Sequence, residues 1–328
     1  MGDLNRLHDM RSLDRSEAQA IMNDMISGSM SEVKLSATLA SLNHRELQLD
    51  EVLGFRDAMI EHCQRVDLGG AACMDFCGTG GDGKDTFNIS TTTAFLLGAM
   101  GVPVVKHGNY GVSSSCGSSN VLEALGYVFP KTADEARRRF EAHGTVFLHA
   151  PFFHPAMRNV APVRKALGVR TLFNIMGPLS NPALPTHQIT GTFDLRTQRL
   201  YAWTLERMGM AASVVHSLDG YDELSLTSDA RVYSTRKHFH TVSAADFGLG
   251  VLEADALLGA DTLEANGAIL VGVLKGEGTP AQQQVVAANA AMALTVWEPE
   301  EDLGAACRKA QDFLASGRAY DHLQSLLS

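Results

Sequence analysis

Two adjacent acids, Asp222 and Glu223, stand with Asp219 in the stretch HSLDGYDELSLT (216–227). Neighbouring carboxylates between two apolar runs suit Mg2+, which takes a few carboxylates and keeps waters and phosphate oxygens as its other ligands. A turn at Gly220 with solvated acids is the plainer reading. The run GTGGDGKDT (78–86) offers what a phosphate needs. Gly78, Gly80, Gly81 and Gly83 tolerate positive φ, and backbone N–H groups between a strand and a helix can cradle an anion. The run approaches a Walker A loop, but Asp85 stands where Ser or Thr would be needed, and an acid there repels phosphate. Gly78, Gly80 and Gly83 also have dinucleotide spacing. The next helix opens near Ser90, however, too late for the tight entry that such a site requires.

Further segments offer related chemistry. In NIST (88–91), Asn88, Ser90 and Thr91 can cap a helix or meet phosphate oxygens and a hydrated metal. The loop KHGNYGVSSSCGSSN (106–120) holds Lys106, His107, Asn109, three hydroxyls from Ser113 to Ser115, and N–H groups at Gly117 and Ser118. It follows an apolar strand, on the edge where open α/β sheets bind ligands. In HPAMRNVAPVRKALGVRTLFN (154–174), Arg158, Arg164, Lys165 and Arg170 cluster. An arginine can hold a carboxylate by two hydrogen bonds. Spacing alone does not separate Arg158 from Arg164, and a solvated helix face is the usual fate of such charges. His238 and His240 alternate on a strand, with no further ligand spacing for zinc.

These residues need a scaffold. Before residue 68 the pattern is helical only. Residues 15–27 put Ala18, Ile21, Met22, Met25 and Ile26 on one face, Ser31 can cap a second helix, and Asp50 a third. Strands are expected at 73–77, 102–105, 145–149, 188–192 and 213–217, with helices between them from about Ser90, after the second loop, after Thr132 and near 195–208. That alternation predicts a largely parallel sheet. Residues 154–185 are again helical and strandless. The expected class is therefore α/β: a small all-helical domain beside a larger domain with a central, mainly parallel sheet. The expected boundaries are 1–68 and 154–186 for the helical domain, and 69–153 and 187–328 for the α/β domain.

Composition narrows the function. The chain has 328 residues with 27 Lys+Arg against 37 Asp+Glu, a net charge of −10. A general nucleic-acid binder needs basic surface, so none is expected as partner. Yet residues 104–170 carry a net charge of +5, leaving −15 on the rest. The longest apolar run, Ala94 to Val105, is too short for a membrane span. Five cysteines without a repeating framework predict reduced thiols and a cytoplasmic protein.

Taken in order, GTGGD, NIST, KHGN, the GSSNVLEALG continuation, the block HPAMRNVAPVRKALGVRTLFNIMGPLSNP and GYDELS resemble the anthranilate phosphoribosyltransferase family along nearly the whole chain. The resemblance implies a Mg2+-dependent pentosyltransferase of tryptophan biosynthesis that joins anthranilate to phosphoribosyl pyrophosphate (PRPP). It implies a homodimer through the helical domain. PRPP contacts would fall on Gly78, Gly81, Asp82, Thr86, Asn88, Ile89, Ser90, Thr91, Lys106, Ser113, Ser114 and Ser118. Mg2+ would fall on Ser90, Asp222 and Glu223, and anthranilate on Gly78, Asn109 and Arg164. His107, Asn109 and Arg164 would act at the reacting centre. The chain departs from the family at Tyr110, where many members have Arg, and at Ser119-Asn120. Two rivals share the fold: a pyrimidine-nucleoside phosphorylase, and a non-enzymatic paralogue that binds nucleic acid, which the net charge disfavours.

Overall fold

Asp14 shows why the first helix begins where it does. Its carboxylate accepts the Glu17 N–H at 2.9 Å, and Glu17 accepts the Asp14 N–H at 2.9 Å. This reciprocal cap opens α1 (Arg15–Ser27), which Gly28 ends at φ 79°. Ser31 caps α2 (Glu32–Asn43) as expected. The third helix, α3 (Leu49–Glu61), starts earlier than the Asp50 cap predicted. Glu51 is fully buried, pairs with Arg45, and accepts N–H groups from Leu13 and Gln48. That buried carboxylate sets the start at Gln48 and leaves Asp50 in the first turn. The computed structural model describes residues 7, 11–111 and 116–328.

The strands are β1 (Met74–Gly78), β2 (Val104–Gly108), β3 (Thr145–His149), β4 (His187–Gly191), β5 (Ala211–Ser217), β6 (Ala230–Ser234) and β7 (His238–Val242). They form one sheet in the order β3-β2-β1-β4-β5-β6-β7. The first five run parallel, and β6 and β7 add an antiparallel edge. The parallel strands are joined by helical crossovers, as parallel pairing requires. These include α4 (Ile89–Ala99) after β1, α5 (Ser118–Ala124) and α6 (Ala133–His143) after β2, and α9 (Leu195–Arg207) after β4. Between β3 and β4 the chain is strandless and carries α7 (Ala161–Leu167) and α8 (Leu172–Met176). After β7 come α10 (Leu263–Leu274), α11 (Pro280–Trp297), α12 (Leu303–Ala315) and α13 (Arg318–Leu327).

Two large cores hold these layers. One packs α4 and α11 onto the sheet around Phe76, Phe95 and Val286. The other begins in the N-terminal helices with Met22, Leu39 and Phe55. It takes in Val160, Leu172 and Met176 from the strandless stretch and ends on Tyr201, Val214 and Tyr233. Phe55 has no exposed surface, and its truncation to Ala would cost about 3–5 kcal/mol.

Candidate active site

The loop after β1 turns through four left-handed residues, Gly80 (φ 64°), Gly81 (φ 78°), Gly83 (φ 73°) and Asp85 (φ 48°). Glycine takes the first three without a Cβ penalty. The acid pair arrives from the connection between β5 and β6. Asp222 Oδ2 accepts the Gly80 N–H at 2.6 Å. This approach needs two glycines: a Cβ on Gly78 would lie 2.6 Å from Asp222 Oδ2, and one on Gly191 would lie 1.4 Å from the Asp222 carbonyl oxygen. Gly191 was missed from sequence, although a glycine closing a strand does signal a close backbone approach.

Glu223 Oε1 accepts the Ser90 N–H at 3.1 Å, and Thr86 Oγ1 donates to Glu223 Oε2 at 3.5 Å. Asp82 Oδ2 accepts the Asp222 N–H at 3.4 Å. Three acids therefore meet at one end of the sheet. Burial, followed by repulsion from Asp82, pushes the Asp222 carboxyl up to about 7. Burial and the two neighbouring acids raise Glu223 well above the usual carboxylate range. None of the ion pairs among the described residues includes Asp82, Asp222 or Glu223.

The second loop is tied at its neck. Asn120 Oδ1 accepts the Gly111 and Gly117 N–H groups at 3.0 and 3.1 Å, and Ser118 Oγ donates to the Asn109 carbonyl at 3.3 Å. Asn88 makes no cap bond with its side chain. Its Nδ2 instead donates to the Cys116 carbonyl at 3.0 Å and joins the two loops. The departures at 110, 119 and 120 have partners of their own. Tyr110 donates its hydroxyl to Glu123 at 2.8 Å, and Ser119 Oγ lies 2.8 Å from His149 Nδ1. Ser113 and Ser114 lie outside the described residues.

Lys106 is buried, and its ammonium donates to the Phe76 carbonyl. His107 Nδ1 lies 3.2 Å from the Gly177 carbonyl. A carbonyl only accepts, so Nδ1 carries the proton and Nε2 is left as the free lone pair. Nε2 is buried and has no partner among the described residues. Burial, then His154, lowers the imidazole to about 3, so it is neutral near pH 7.

The arginines separate cleanly. Arg164, half-buried on α7, lines the cavity and lies 5.2 Å over the Phe173 ring. Burial lowers its pKa. Arg158 is exposed and does not line the cavity. Arg170, read from sequence only as a member of the cluster, donates to the Gly81 carbonyl and stacks on Phe193 at 4.3 Å.

The result is one cavity of about 320 Å3. It is lined by Gly78, Gly81, Asp82, Thr86, Asn88, Ser90, Thr91, Lys106, His107, Asn109, Ser118, Arg164, Asp222 and Glu223. Ile89 does not line the cavity: it has no exposed surface and packs in the sheet-side core, with its N–H bonded to the Phe87 carbonyl. Phe173, Asn174, Gly177 and Pro178 also line the cavity and were not singled out from sequence. They stand inside the block that carries the family resemblance, but their types taken singly point to no particular chemistry.

A helical bundle beside a mainly parallel sheet, with glycine loop, acids and arginine converging at the strand ends, defines a class. Residues 4–63 match the glycosyl transferase family helical bundle domain, and residues 70–320 match that family's a/b domain. The anthranilate phosphoribosyltransferase of Christiangramia forsetii is 42% identical over 326 residues, 98% of this chain and 97% of that protein. The crystal structure of the anthranilate phosphoribosyltransferase from Thermus thermophilus superposes with a TM-score of 0.94 at 35% identity, covering 100% of this chain and 98% of the other. The Saccharomyces cerevisiae enzyme in complex with PRPP and Mg shares the fold, with a TM-score of 0.90 at 24% identity over 99% of this chain and 96% of the other. The chain belongs to the anthranilate phosphoribosyltransferase family.

Proposed function

We propose that the cavity transfers the 5-phosphoribosyl group of PRPP to the amine of anthranilate and releases pyrophosphate. The observation that carries this reading is the convergence of glycine loop, buried acids and Arg164 on a single cavity. The family relatives bear the same activity in their names, and the yeast enzyme was solved with PRPP and Mg.

The residues fit Mg2+. Asp82, Asp222 and Glu223 crowd one another without an ion-paired cation among the described residues, and burial destabilises the charges of Asp222 and Glu223. No full cage of three His, Cys, Asp or Glu stands among the described residues. Mg2+ requires none, since phosphate oxygens and waters complete its shell. Asp222, Glu223 and Ser90 would hold it, and when bound it supplies charge neutralisation for the departing pyrophosphate.

The protein's own groups do the rest. The aromatic amine is neutral at pH 7, so its lone pair can attack ribose C1 as the bond to pyrophosphate breaks. Positioning and charge stabilisation are then the main contributions. Arg164 clamps the anthranilate carboxylate. Asn109 orients the amine, and the His107 Nε2 lone pair can take the amine proton late. The glycine-loop N–H groups, with Thr86, Asn88, Thr91, Lys106 and Ser118, bind the phosphates, and we extend that set to Ser113 and Ser114. We assign residues 1–68 and 154–186 to the helical unit and 69–153 and 187–328 to the α/β unit. The protein is read as a cytoplasmic homodimer joined through the helical unit, where Val33 is 81% exposed; light scattering tests the dimer.

Loss of anthranilate fluorescence with PRPP and Mg2+, on purified protein, tests the function. Consumption that needs all three supports it. Phosphorolysis of thymidine or uridine without anthranilate consumption would instead make it a nucleoside phosphorylase.

A further inference from the structure

The parallel ladder between β1 and β2 stops after one pair, Met74 opposite Val104. The ladders from β1 to β4 and from β2 to β3 each run through five. Continued in register, the broken ladder would pair the His107 N–H with the Phe76 carbonyl and use the Val105 carbonyl as the next acceptor. All three backbone groups have side-chain partners instead. The His107 N–H donates to Asp75 Oδ1 at 3.3 Å. The Val105 carbonyl accepts from Asn181 Nδ2 at 2.8 Å. The Phe76 carbonyl accepts from the Lys106 ammonium. Asn181 Nδ2 also donates to Asp75 Oδ2 at 2.9 Å, while its Oδ1 accepts the Ala183 N–H at 3.0 Å. The second contact fixes which end of the amide faces the acid.

Asp75, Lys106 and Asn181 thus splint a fork between two central strands, and each is at most 3% exposed. Burying a carboxylate and an ammonium costs several kcal/mol per ion unless both are well partnered. A continued ladder would close the gap without that cost. The fork opens at the carboxyl ends of the strands, where the cavity lies, and Lys106 is the member that lines the cavity. Asn181 follows the turn Gly177–Leu179, whose first carbonyl also faces the His107 ring. One short segment therefore contacts two residues of β2, Val105 and His107, on either side of Lys106.

We propose that Asp75 and Asn181 are positioning residues that hold the β1–β2 fork open and set the Lys106 ammonium for the phosphate-bearing substrate. This deepens the transferase reading and rests on it. Asp75 acts through charge as well as shape. Burial pushes its carboxyl up to about 6, with Lys106 and Asn181 opposing that rise, so it is ionised near pH 7 beside the ammonium.

Titration calorimetry with PRPP in Mg2+, alongside steady-state kinetics, tests the proposal. Asp75→Asn and Asn181→Ala should each weaken PRPP binding about tenfold or more, the scale of a lost bond to a charged group. The apparent KM for anthranilate should stay within about twofold, a split that general loosening would not produce. Asp75→Asn added to Lys106→Met should cost less than the product of the single losses, because both act on one ammonium. Circular dichroism verifies folding, and Asn181→Ala carries the same expectation should Asp75→Asn fail to fold. Folded variants that bind PRPP like wild type, or losses that multiply, overturn the proposal alone. Wild-type protein that binds no PRPP overturns the transferase reading and this proposal with it.

Discussion

The Asp222 carboxylate accepts the Gly80 backbone N–H at 2.6 Å, across 142 positions of sequence. The contact joins the loop after β1 to the connection after β5. It brings an acid to the place where the glycine loop would otherwise offer only N–H groups. The site is therefore built for an anion and a cation together.

Gly191 makes that contact possible, because a Cβ there would lie 1.4 Å from the Asp222 carbonyl oxygen. Gly191→Ala should displace the acids and lower kcat/KM by about 10²–10³, the scale of losing one preorganised electrostatic group. It should also raise the Mg2+ needed for half-maximal rate. Gly272→Ala in α10, where a Cβ meets nothing within 4 Å, is the control. It should be neutral or stabilising by up to about 1 kcal/mol. A metal titration of both variants decides the matter; equal rates would refute the role of Gly191.

Arg164 lines the cavity while Arg158 does not. Arg164→Ala should raise the apparent KM for anthranilate by about 10–100-fold, since bonds to charged groups are worth about 1.5–3 kcal/mol. Arg164→Lys should recover only part, because an ammonium cannot reproduce the planar fork. Arg158→Ala should leave KM alone. Initial rates with anthranilate varied at saturating PRPP separate the three.

His107 and His154 are buried in their neutral forms, lowered to about 3 and about 4. A depressed pKa contributes stability above the unfolded value near 6.5, and that stability is lost as pH falls toward the folded value. Their contribution to the urea midpoint is therefore lost between pH 6.5 and 4, while the raised carboxyls of Asp75, Asp222 and Glu223 act in the opposite sense over that range. The test is the difference between wild type and His107→Asn, which keeps a donor for Gly177 and should lose less stability toward pH 4. His154 titrates over the same range, so the histidine contribution should shrink rather than vanish. Identical slopes in the two proteins would count against this account.

Glu51 is fully buried, is held by Arg45, and accepts two backbone N–H groups. Glu51→Ala strands the Arg45 charge in the interior and should cost about 3–5 kcal/mol. Chemical denaturation would reveal this as a lower midpoint. A loss under about 1 kcal/mol would mean that the pair is no more than a surface contact.

Much of this architecture was legible in the chain. Alternating apolar runs and turn residues marked the strand–loop–helix order, and Ser31 and Thr132 cap helices as read. Local signals failed where distant partners decide. The α3 start depends on Leu13 and Arg45, so Asp50 was the wrong cap. Asn88 looked like a cap because its type favours one, yet its partner is Cys116, 28 residues on. Ile89 shares a motif with its cavity-lining neighbours but faces the core, since successive side chains on a helix point in different directions around its axis. Arg158 and Arg164 share charge and segment, and only the packing of α7 against Phe173 distinguishes them. The fork held by Asp75 and Asn181 leaves no trace in spacing, because its members are brought together by the sheet.

The second core does more than cover the N-terminal helices. It runs without a break from Met22 and Phe55, through Leu172 and Met176, to Val214 and Tyr233 in the sheet. The helical bundle therefore has no interior of its own, separate from the sheet, to lose. Heated, the chain should absorb its unfolding enthalpy in a single calorimetric peak whose van't Hoff and calorimetric values agree. A bundle expressed by itself should expose its half of the shared interior and aggregate.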